Sequence, residues 1–154
     1  MTDLASELHF RPFSPADVAT CLDIFDANCP DYFAPNERSD YKHFLSSVDQ
    51  GYQVCEVNER ASGAFGVFDS SDQKVRLNWI LIDPAMQGKG IGSIIMNRAI
   101  EVAMSKHAKL IEIAASQKSA PFFARFGAVP IATVVDGWGK GMDRIDMEMS
   151  LSVS

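Results

Sequence analysis

The spacing of apolar residues has a helical period in the first third of the chain. Between positions 18 and 25, apolar side chains recur three or four residues apart, which predicts an amphipathic helix. Ser14 and Pro15 in front of this run are typical of a helix cap and a first helical position. Residues 28–30 break the pattern, and a second helix is predicted over about 37–47.

From position 52 onward, apolar and polar residues alternate, which predicts β-strands. Runs over 52–57, 61–68 and 75–82 are separated by polar turns, so we expect an antiparallel meander. A shorter first strand is predicted over 8–11. In the third run of the meander, one face of the strand is predicted to carry Val75, Leu77, Trp79 and Leu81.

The second half of the chain combines both periods. Its predicted elements are, in order, a long helix over about 91–107, a strand over 110–114, a short helix over about 119–126, a strand over 128–135, a mobile loop over 136–141 and a half-exposed, edge-type strand over 145–151. The strand over 110–114 is expected to run parallel to the one that ends at Ile82. No linker or repeat interrupts the chain, which predicts a single domain over 1–154.

The composition is that of an ordinary globular domain, with 47% hydrophobic and 22% charged residues among 154. The formal net charge of -6 disfavours nucleic acid and anionic membranes as main partners, because both require clustered Lys and Arg. No apolar run approaches the ~20 residues of a membrane span. Positions 1–4 show no signal-peptide pattern.

The spacing of cysteines and histidines bears on the redox compartment of the protein and on whether it binds a metal. Cys21, Cys29 and Cys55 form no CxxC pair, which indicates free thiols in a reducing compartment such as the cytoplasm. The three histidines are scattered along the chain. We therefore predict no metal site.

The segment from Gln87 to Gly92 is the most informative part of the sequence. It stands between a predicted strand and a predicted helix, with glycine at positions 88, 90 and 92. Glycines let a backbone approach a ligand closely, and the N–H groups at a helix N-terminus favour an anion. The spacing is not that of a P-loop, because Lys89 lies between glycines, nor of a dinucleotide fingerprint, because position 93 is serine.

Two motifs in this order resemble those of the GNAT family of N-acetyltransferases. The first, Gln87 to Gly92, reads Q-x-x-G-x-G and closely resembles the family's acetyl-CoA pyrophosphate loop. The second, residues 116–128, is similar to the family segment N-x-x-A-x-x-Φ-Y-x-K-x-G-F, with Gly127 and the aromatic pair in register. The predicted element order also resembles that of the family, so the resemblance covers nearly the whole chain.

The resemblance implies an α/β (α+β) fold and acetyl-CoA as the cofactor. The fold has a single mixed, mostly antiparallel sheet whose central parallel strands splay apart between flanking helices. The glycine loop is expected to hold the pyrophosphate, and the strand before it to pair with the pantetheine amides; Lys89 either adds charge there or is solvated. The expected cofactor-binding residues are Leu81, Ile82, Gln87, Gly88, Lys89, Gly90, Ile91, Gly92, Ser93 and Phe123.

The proton chemistry departs from the family pattern. Phe123 stands where many members have a tyrosine acid, and a phenyl ring has no proton to donate. Ser116, Ser119 or a water could take that role, or the thiolate could leave unassisted. The strand over 74–82 contains no acid. Asn78 could orient a water there, or be a polar residue on an exposed face.

The activity implied by the resemblance is transfer of an acetyl group from acetyl-CoA directly to an amine. The expected acceptor contacts are Tyr32, Phe33, Tyr41 and Trp138. The sequence does not identify the amine, and it permits a homodimer without requiring one. The alternative is a non-catalytic acyl-CoA-binding or regulatory module on the same fold, for which Phe123 and the acid-free strand are the motives. A phosphate- or nucleotide-binding module unrelated to CoA is a third reading.

Overall fold

The computed structural model of the protein describes residues 8–151. Its helices are α1 (Val18–Ala27), α2 (Glu37–Ser47), α3 (Ile91–Ser105) and α4 (Ala120–Ala124), with single 3-10 turns at Pro15–Asp17 and Pro84–Met86. Its strands are β1 (Leu8–Pro12), β2 (Tyr52–Val57), β3 (Arg60–Ser71), β4 (Lys74–Ile82), β5 (Leu110–Ala115), β6 (Val129–Gly139) and β7 (Met142–Ser150). The predicted order of elements is confirmed. The expected lack of a signal peptide concerns positions 1–4, which lie outside the described residues.

The seven strands form one sheet in the order β1-β2-β3-β4-β5-β7-β6. The pair β4–β5 is parallel, and the other neighbouring pairs are antiparallel. The predicted mixed, mostly antiparallel sheet with a central parallel pair is therefore confirmed. None of the helices within residues 8–151 is both long and apolar enough to cross a bilayer.

The prediction that the last strand lies at an edge of the sheet is wrong. β7 lies between β5 and β6, and β6 is the edge strand at that end of the sheet. The alternation in β7 arises because Met147 and Met149 are buried on one face of the sheet while Asp146 and Glu148 lie on the other. An alternating pattern indicates that one face of a strand is covered, and it does not indicate how many neighbouring strands pair with it.

Helices cover both faces of the sheet and form two apolar clusters. α3 and α4 pack on one face, where Ile95, Met96 and Phe123 meet buried residues of β5 and β7. α1 and α2 pack on the other face around Phe25 and Tyr41, and the described members of that cluster include none from β5, β6 or β7. The side of β5, β6 and β7 that faces α1 and α2 is therefore not covered by this cluster.

A β-bulge interrupts β4 immediately after Asn78. The register with β3 slips there by one residue, so that Trp79 and Ile80 together lie opposite Phe65. Trp79 adopts a positive φ of 49°, which is uncommon for a residue other than glycine. The bulge therefore bends β4 at its middle and changes the direction in which its later side chains point.

The bulge also overturns one prediction from the sequence. Val75 and Leu77 pack in the α3/α4 cluster, whereas Trp79 and Leu81 pack in the α1/α2 cluster. The prediction that these four residues share a face is wrong because it assumed an unbroken period of two. A single extra residue moves every later side chain to the opposite face.

A pair of buried tyrosines holds the bulge from the α1/α2 side. Tyr52 Oη donates a 2.7 Å hydrogen bond to the carbonyl of Trp79, and Tyr41 Oη lies 2.8 Å from Tyr52 Oη. Tyr52 reaches β4 from β2 by passing over Gly66, its pairing partner on β3. A Cβ at Gly66 would lie 3.0 Å from the Tyr52 ring and 2.7 Å from Cζ of Phe68. The glycine thus leaves room for the tyrosine that braces the bulge.

The parallel pairing of β4 with β5 is short and ends at Leu77 and Ile113. Beyond this point β4 continues along β3, and its far end is tied to α1. The side chain of Asn28 donates to the carbonyls of Ile24 at 2.8 Å and of Ile82 at 3.0 Å. A gap therefore opens between β4 and β5, as the resemblance predicts.

Gly66→Ala is expected to lower the free energy of unfolding by about 1–3 kcal/mol, as overpacking of a well-packed region does. The Phe68 ring lies between this position and Gly51, where a Cβ would be 2.8 Å from Cε1, so an added methyl group must displace the ring. Urea denaturation followed by circular dichroism measures the change. The matched control is the same substitution in a Phe68→Leu background, where the cost should fall to about half or less. An equal cost in both backgrounds would contradict the packing explanation.

Candidate functional site

A cavity of about 1060 Å³ occupies the gap between β4 and β5, which is large enough for a cofactor-sized ligand. Its walls come from β4, the glycine loop, β5, α4, the connector over 28–37 and the hairpin of β6 and β7. The sequence-predicted residues that line it are Tyr32, Phe33, Asn78, Leu81, Ile82, Gln87, Gly88, Gly90, Ile91, Gly92, Ser93, Ser116, Ser119, Phe123 and Trp138.

Two predicted site residues do not line this cavity. The side chain of Lys89 is exposed, which agrees with a solvated lysine. Tyr41 is 0% exposed and bonds to Tyr52 instead. The expectation that Tyr41 contacts the acceptor is therefore corrected, because the inward face of α2 directs its ring into the core beneath the bulge.

The glycine loop presents unpaired backbone donors to the cavity. Gly88 and Gly90 have φ of 80° and 82°, a region that glycine adopts without a steric penalty. The first helical bond of α3 runs from the N–H of Ile94 to the carbonyl of Gly90. Within residues 8–151, no N–H from Gly88 to Ser93 donates to a protein acceptor, and no side chain caps the helix. Such an array suits an anionic group.

Gly92 lets the first turn of α3 approach α4. A Cβ at this position would lie 2.8 Å from the Phe122 ring and 3.4 Å from Cδ1 of Ile82. The guanidinium of Arg125 lies 5.4 Å from the centre of the same Phe122 ring. A cationic side chain therefore accompanies the unpaired N–H groups at this end of the cavity.

The edge of β4 that borders the gap offers a backbone donor. The N–H of Asp83 donates at 2.8 Å to the carbonyl of Ser62 on β3. Because successive N–H groups point to opposite edges of a strand, the N–H of Ile82 points into the gap and that of Leu81 points to β3. The carbonyl of Ile82 already accepts a bond from Asn28. Of the two predicted pantetheine partners, Ile82 thus has its N–H toward the cavity.

Ser116 and Ser119 form reciprocal hydrogen bonds at the start of α4. Ser119 Oγ accepts from the N–H of Ser116 at 3.0 Å, and Ser116 Oγ accepts from the N–H groups of Lys118 at 3.1 Å and of Ser119 at 3.3 Å. Each hydroxyl therefore accepts a bond in this turn, and the two Oγ atoms lie 3.5 Å apart, so that one hydroxyl donates to the other and one proton remains without a partner among the described residues. Phe123, 3% exposed, lies one turn further along α4 and also lines the cavity.

Trp138 is fixed in the cavity wall, although the sequence predicts a mobile loop over 136–141. Its Nε1–H donates to the carbonyl of Ala115 at 2.9 Å, and its own carbonyl accepts from the side chain of Asn36 at 2.6 Å. Gln117 bonds the hairpin tip at Gly141, at 2.8 Å. The loop prediction is corrected because these partners are distant in the sequence, whereas the glycines that suggested mobility are local.

The sequence matches the Acetyltransferase (GNAT) family over residues 21–128. That stretch contains the glycine loop, α4 and most of the cavity lining. The chain belongs to the GNAT acetyltransferase family. It is 31% identical over 115 residues to an uncharacterized N-acetyltransferase of Methanocaldococcus jannaschii, a match that covers 68% of this chain and 50% of the relative. The chain thus spans about half the length of this curated relative.

Solved structures support the GNAT fold. Ard1 from Thermoplasma volcanium superposes with a TM-score of 0.80 at 15% identity, covering 96% of this chain and 99% of that one. The structure of yncA from Salmonella typhimurium, which contains its cofactor acetyl-CoA, superposes with a TM-score of 0.68 at 17% identity, covering 96% of this chain and 95% of that one. At these identities the likeness establishes the fold alone.

A carboxylate that sequence reasoning missed lines the cavity of this GNAT chain. Glu37, the first residue of α2, is 5% exposed, and its Oε2 accepts a 2.7 Å bond from the N–H of Ala34. Burial is the main cause that raises the pKa of Glu37, to about 7. No local pattern marks Glu37, since an acid in the first turn of a helix usually serves the helix dipole.

Charged side chains are unevenly distributed around the cavity. Four carboxylates line the cavity, those of Glu37, Glu112, Asp146 and Glu148. The last three belong to β5 and β7 and lie on the side of the sheet that faces α1 and α2, where two guanidinium groups also lie. Glu112 pairs directly with Glu148 across β5 and β7. The guanidinium groups are those of Arg76 and Arg144, and Arg144 is 3.0 Å from Asp146. On this face the three carboxylates outnumber the two guanidinium groups, whereas the other two cations of the lining, Lys118 and Arg125, stand just before and just after α4.

The raised pKa of Glu37 predicts a specific dependence of stability on pH. A carboxyl whose pKa is 4.5 when unfolded and about 7 when folded stabilises the folded state below pH 4.5, and that stability is lost as pH rises through about 7. In Glu37→Gln the amide oxygen keeps the bond to Ala34 without the titration. Relative to this variant, the wild type should lose about 2–3 kcal/mol of unfolding free energy between about pH 4 and pH 8. Urea denaturation of both proteins measures the difference, and parallel curves would contradict the shift.

Proposed function

We propose that this GNAT protein transfers an acetyl group from acetyl-CoA directly to a cationic amine. One observation carries the proposal. The unpaired N–H groups from Gly88 to Ser93 and the gap-facing N–H of Ile82 border the same cavity between β4 and β5. A pyrophosphate on the first set and pantetheine amides along the second would direct the thioester toward the α1/α2 half of the cavity.

The cofactor half of this proposal is built from backbone groups and a few side chains. Gly88 and Gly90 let the loop approach a diphosphate, and Arg125 adds positive charge near the helix N-terminus. Phe123 supplies an apolar wall for pantetheine. Gln87 and Ile91 lie in the same lining, whereas Lys89 remains outside it.

The proposed class of acceptor follows from the carboxylates in the cavity lining. Tyr32, Phe33 and Trp138 line the cavity beside Glu37, so an amine would meet both aromatic surface and carboxylates. The attraction between opposite charges is stronger in a partly enclosed site than in water, because the effective dielectric constant is lower there. A cationic amine is therefore the acceptor class that the lining favours over a neutral alcohol.

The reaction requires two proton movements. The acceptor ammonium loses a proton before its nitrogen forms the new C–N bond, and the sulfur leaves as the C–S bond breaks. Ser116 and Ser119 retain hydroxyl protons beside Phe123, and Asn78 stands where β4 leaves β5. We keep these three as candidates for orienting water or donating a proton to the thiolate, a role that Phe123 cannot perform.

Several finer expectations accompany this proposal. The three cysteines are free, which supports a reducing compartment such as the cytoplasm. We expect residues 1–154 to act as one domain. A second copy of the chain could pair with edge strand β6, where Val135 is 76% exposed.

Gly90→Val is expected to weaken acetyl-CoA binding by at least about 100-fold, because a branched side chain would block close approach of the diphosphate and disfavour the left-handed conformation. Isothermal titration calorimetry measures the affinity. Gly127→Val is the matched control, since Gly127 also has a positive φ and open space around its Cβ but does not line the cavity. Equal affinities of the two variants would contradict the loop assignment.

Acetyl transfer itself is tested by thiol release from acetyl-CoA in the presence of an amine panel. The panel contains spermidine, amino-acid amides, and peptides with a free N-terminus or an internal lysine. We expect release with at least one cationic amine and none with matched alcohols. If acetyl-CoA binds and no amine stimulates release, the protein is instead a non-catalytic acyl-CoA-binding module, the reading that Phe123 favours.

A further inference from the structure

The carboxylate of Glu37 has one oxygen in a structural bond and one oxygen without a partner. Oε2 accepts from the N–H of Ala34, while Oε1 accepts no hydrogen bond from the described part of the chain. Within residues 8–151, no side-chain oxygen or nitrogen that is sealed from solvent lacks a hydrogen-bond partner. Oε1 is therefore reachable, and Glu37 lines the cavity.

The surroundings of Glu37 place this free oxygen on the acceptor side. Asn28, Tyr32 and Phe33 precede it in the connector, and all three line the same cavity. The connector is anchored to β4 by the bond from Asn28 to Ile82 and to the β6–β7 hairpin by the bond from Asn36 to Trp138. These two bonds tie the connector that carries Glu37 to two opposite walls of the cavity.

We infer that Glu37 is the general base, whose Oε1 receives the acceptor ammonium and removes one of its protons. This inference rests on the proposed function. The N–H bond of the ammonium breaks and its proton moves to Oε1, which leaves a lone pair on nitrogen. That pair forms the C–N bond to the acetyl carbon, and the electrons of the C–S bond leave with the CoA sulfur.

The electrostatic surroundings suit this task. Burial and the nearby charge of Asp40 raise the pKa of Glu37 to about 7, which is close to the optimum for a base near neutral pH. The charged groups on the elements around it are Arg38, Asp40 and Lys42 on α2, Asp31 on the connector, Arg76 on β4, Glu112 on β5, and Arg144, Asp146 and Glu148 on β7, and Cys29 is the titratable thiol on the connector. The charge of Asp40 favours an ammonium beside Oε1, and the guanidinium groups of Arg38 and Arg144 are paired with Asp26 and Asp146.

A purely structural role makes a different prediction. In that role the bond from Ala34 to Oε2 would be the function of Glu37, as in a helix cap. Glu37→Gln keeps an oxygen acceptor for this bond and removes only the ability to take a proton. Glu101→Gln is the matched control, because Glu101 undergoes the same substitution, is exposed on α3 and does not line the cavity.

The test measures kcat and KM against pH for the wild type, Glu37→Gln and Glu101→Gln, with whichever amine of the panel the wild type acetylates fastest. We expect Glu37→Gln to lose about 100-fold or more in kcat near pH 7, as removal of a general base does. In Glu37→Gln, the rising limb of kcat/KM against pH should move from near pH 7 to the pKa of the free amine. Above that pH the amine is already neutral and needs no base. Glu101→Gln should retain kcat within about threefold.

Acetyl-CoA affinity, measured by calorimetry, should be unchanged in Glu37→Gln, which separates base removal from damage to the fold. Unchanged kcat and an unchanged pH profile in this variant, with an active wild type, would overturn the inference and leave the proposed function intact. An increase in KM alone would also overturn it, since Glu37 would then only bind the cation. If the wild type acetylates no amine, the proposed function fails and the base assignment fails with it.

Discussion

The bulge at Trp79 is the constraint on which the rest of the site depends. A regular β4 would continue to pair with β5, and no gap would remain between the two strands. The extra residue instead bends β4 after its last parallel pair, at Leu77 and Ile113. Tyr52 holds the displaced carbonyl of Trp79, and Asn28 holds the end of the strand at Ile82. Buried polar side chains thereby keep open a cavity that backbone pairing would close.

The two halves of this cavity use different physical means. At the α3 end, the donors are backbone N–H groups freed by glycine, so their positions follow from the main chain and need no particular side chain. At the α1/α2 end, the polar groups are the side chains of Glu37, Glu112, Asp146 and Glu148, which belong to three separate elements. The first half suits a constant ligand, and the second can vary with the acceptor. This division explains how one fold serves many amines.

How far the sequence predicts the structure depends on whether a feature is local. The glycine loop, the helix over Glu37–Ser47 and the element order were readable, because each follows from neighbouring residues or from their spacing. The face of Leu81, the fixed position of Trp138 and the burial of Tyr41 were not, because a bulge and long-range hydrogen bonds determine them. Glu37 escaped notice for the same reason. Its importance lies in what packs around it, and an acid in the first turn of a helix is ordinary by itself.

We expect the backbone of the glycine loop and the edge of β4 to hold CoA in the gap between β4 and β5. A titration of 15N-labelled protein with CoA, followed by amide chemical shifts, tests it residue by residue. We expect the largest shifts at Gly88 to Ser93 and a shift at Ile82, with little change at Gly127. Shifts centred elsewhere, for example on the charged groups around Arg11 and Glu56 on the α1 side of β1 and β2, would contradict it.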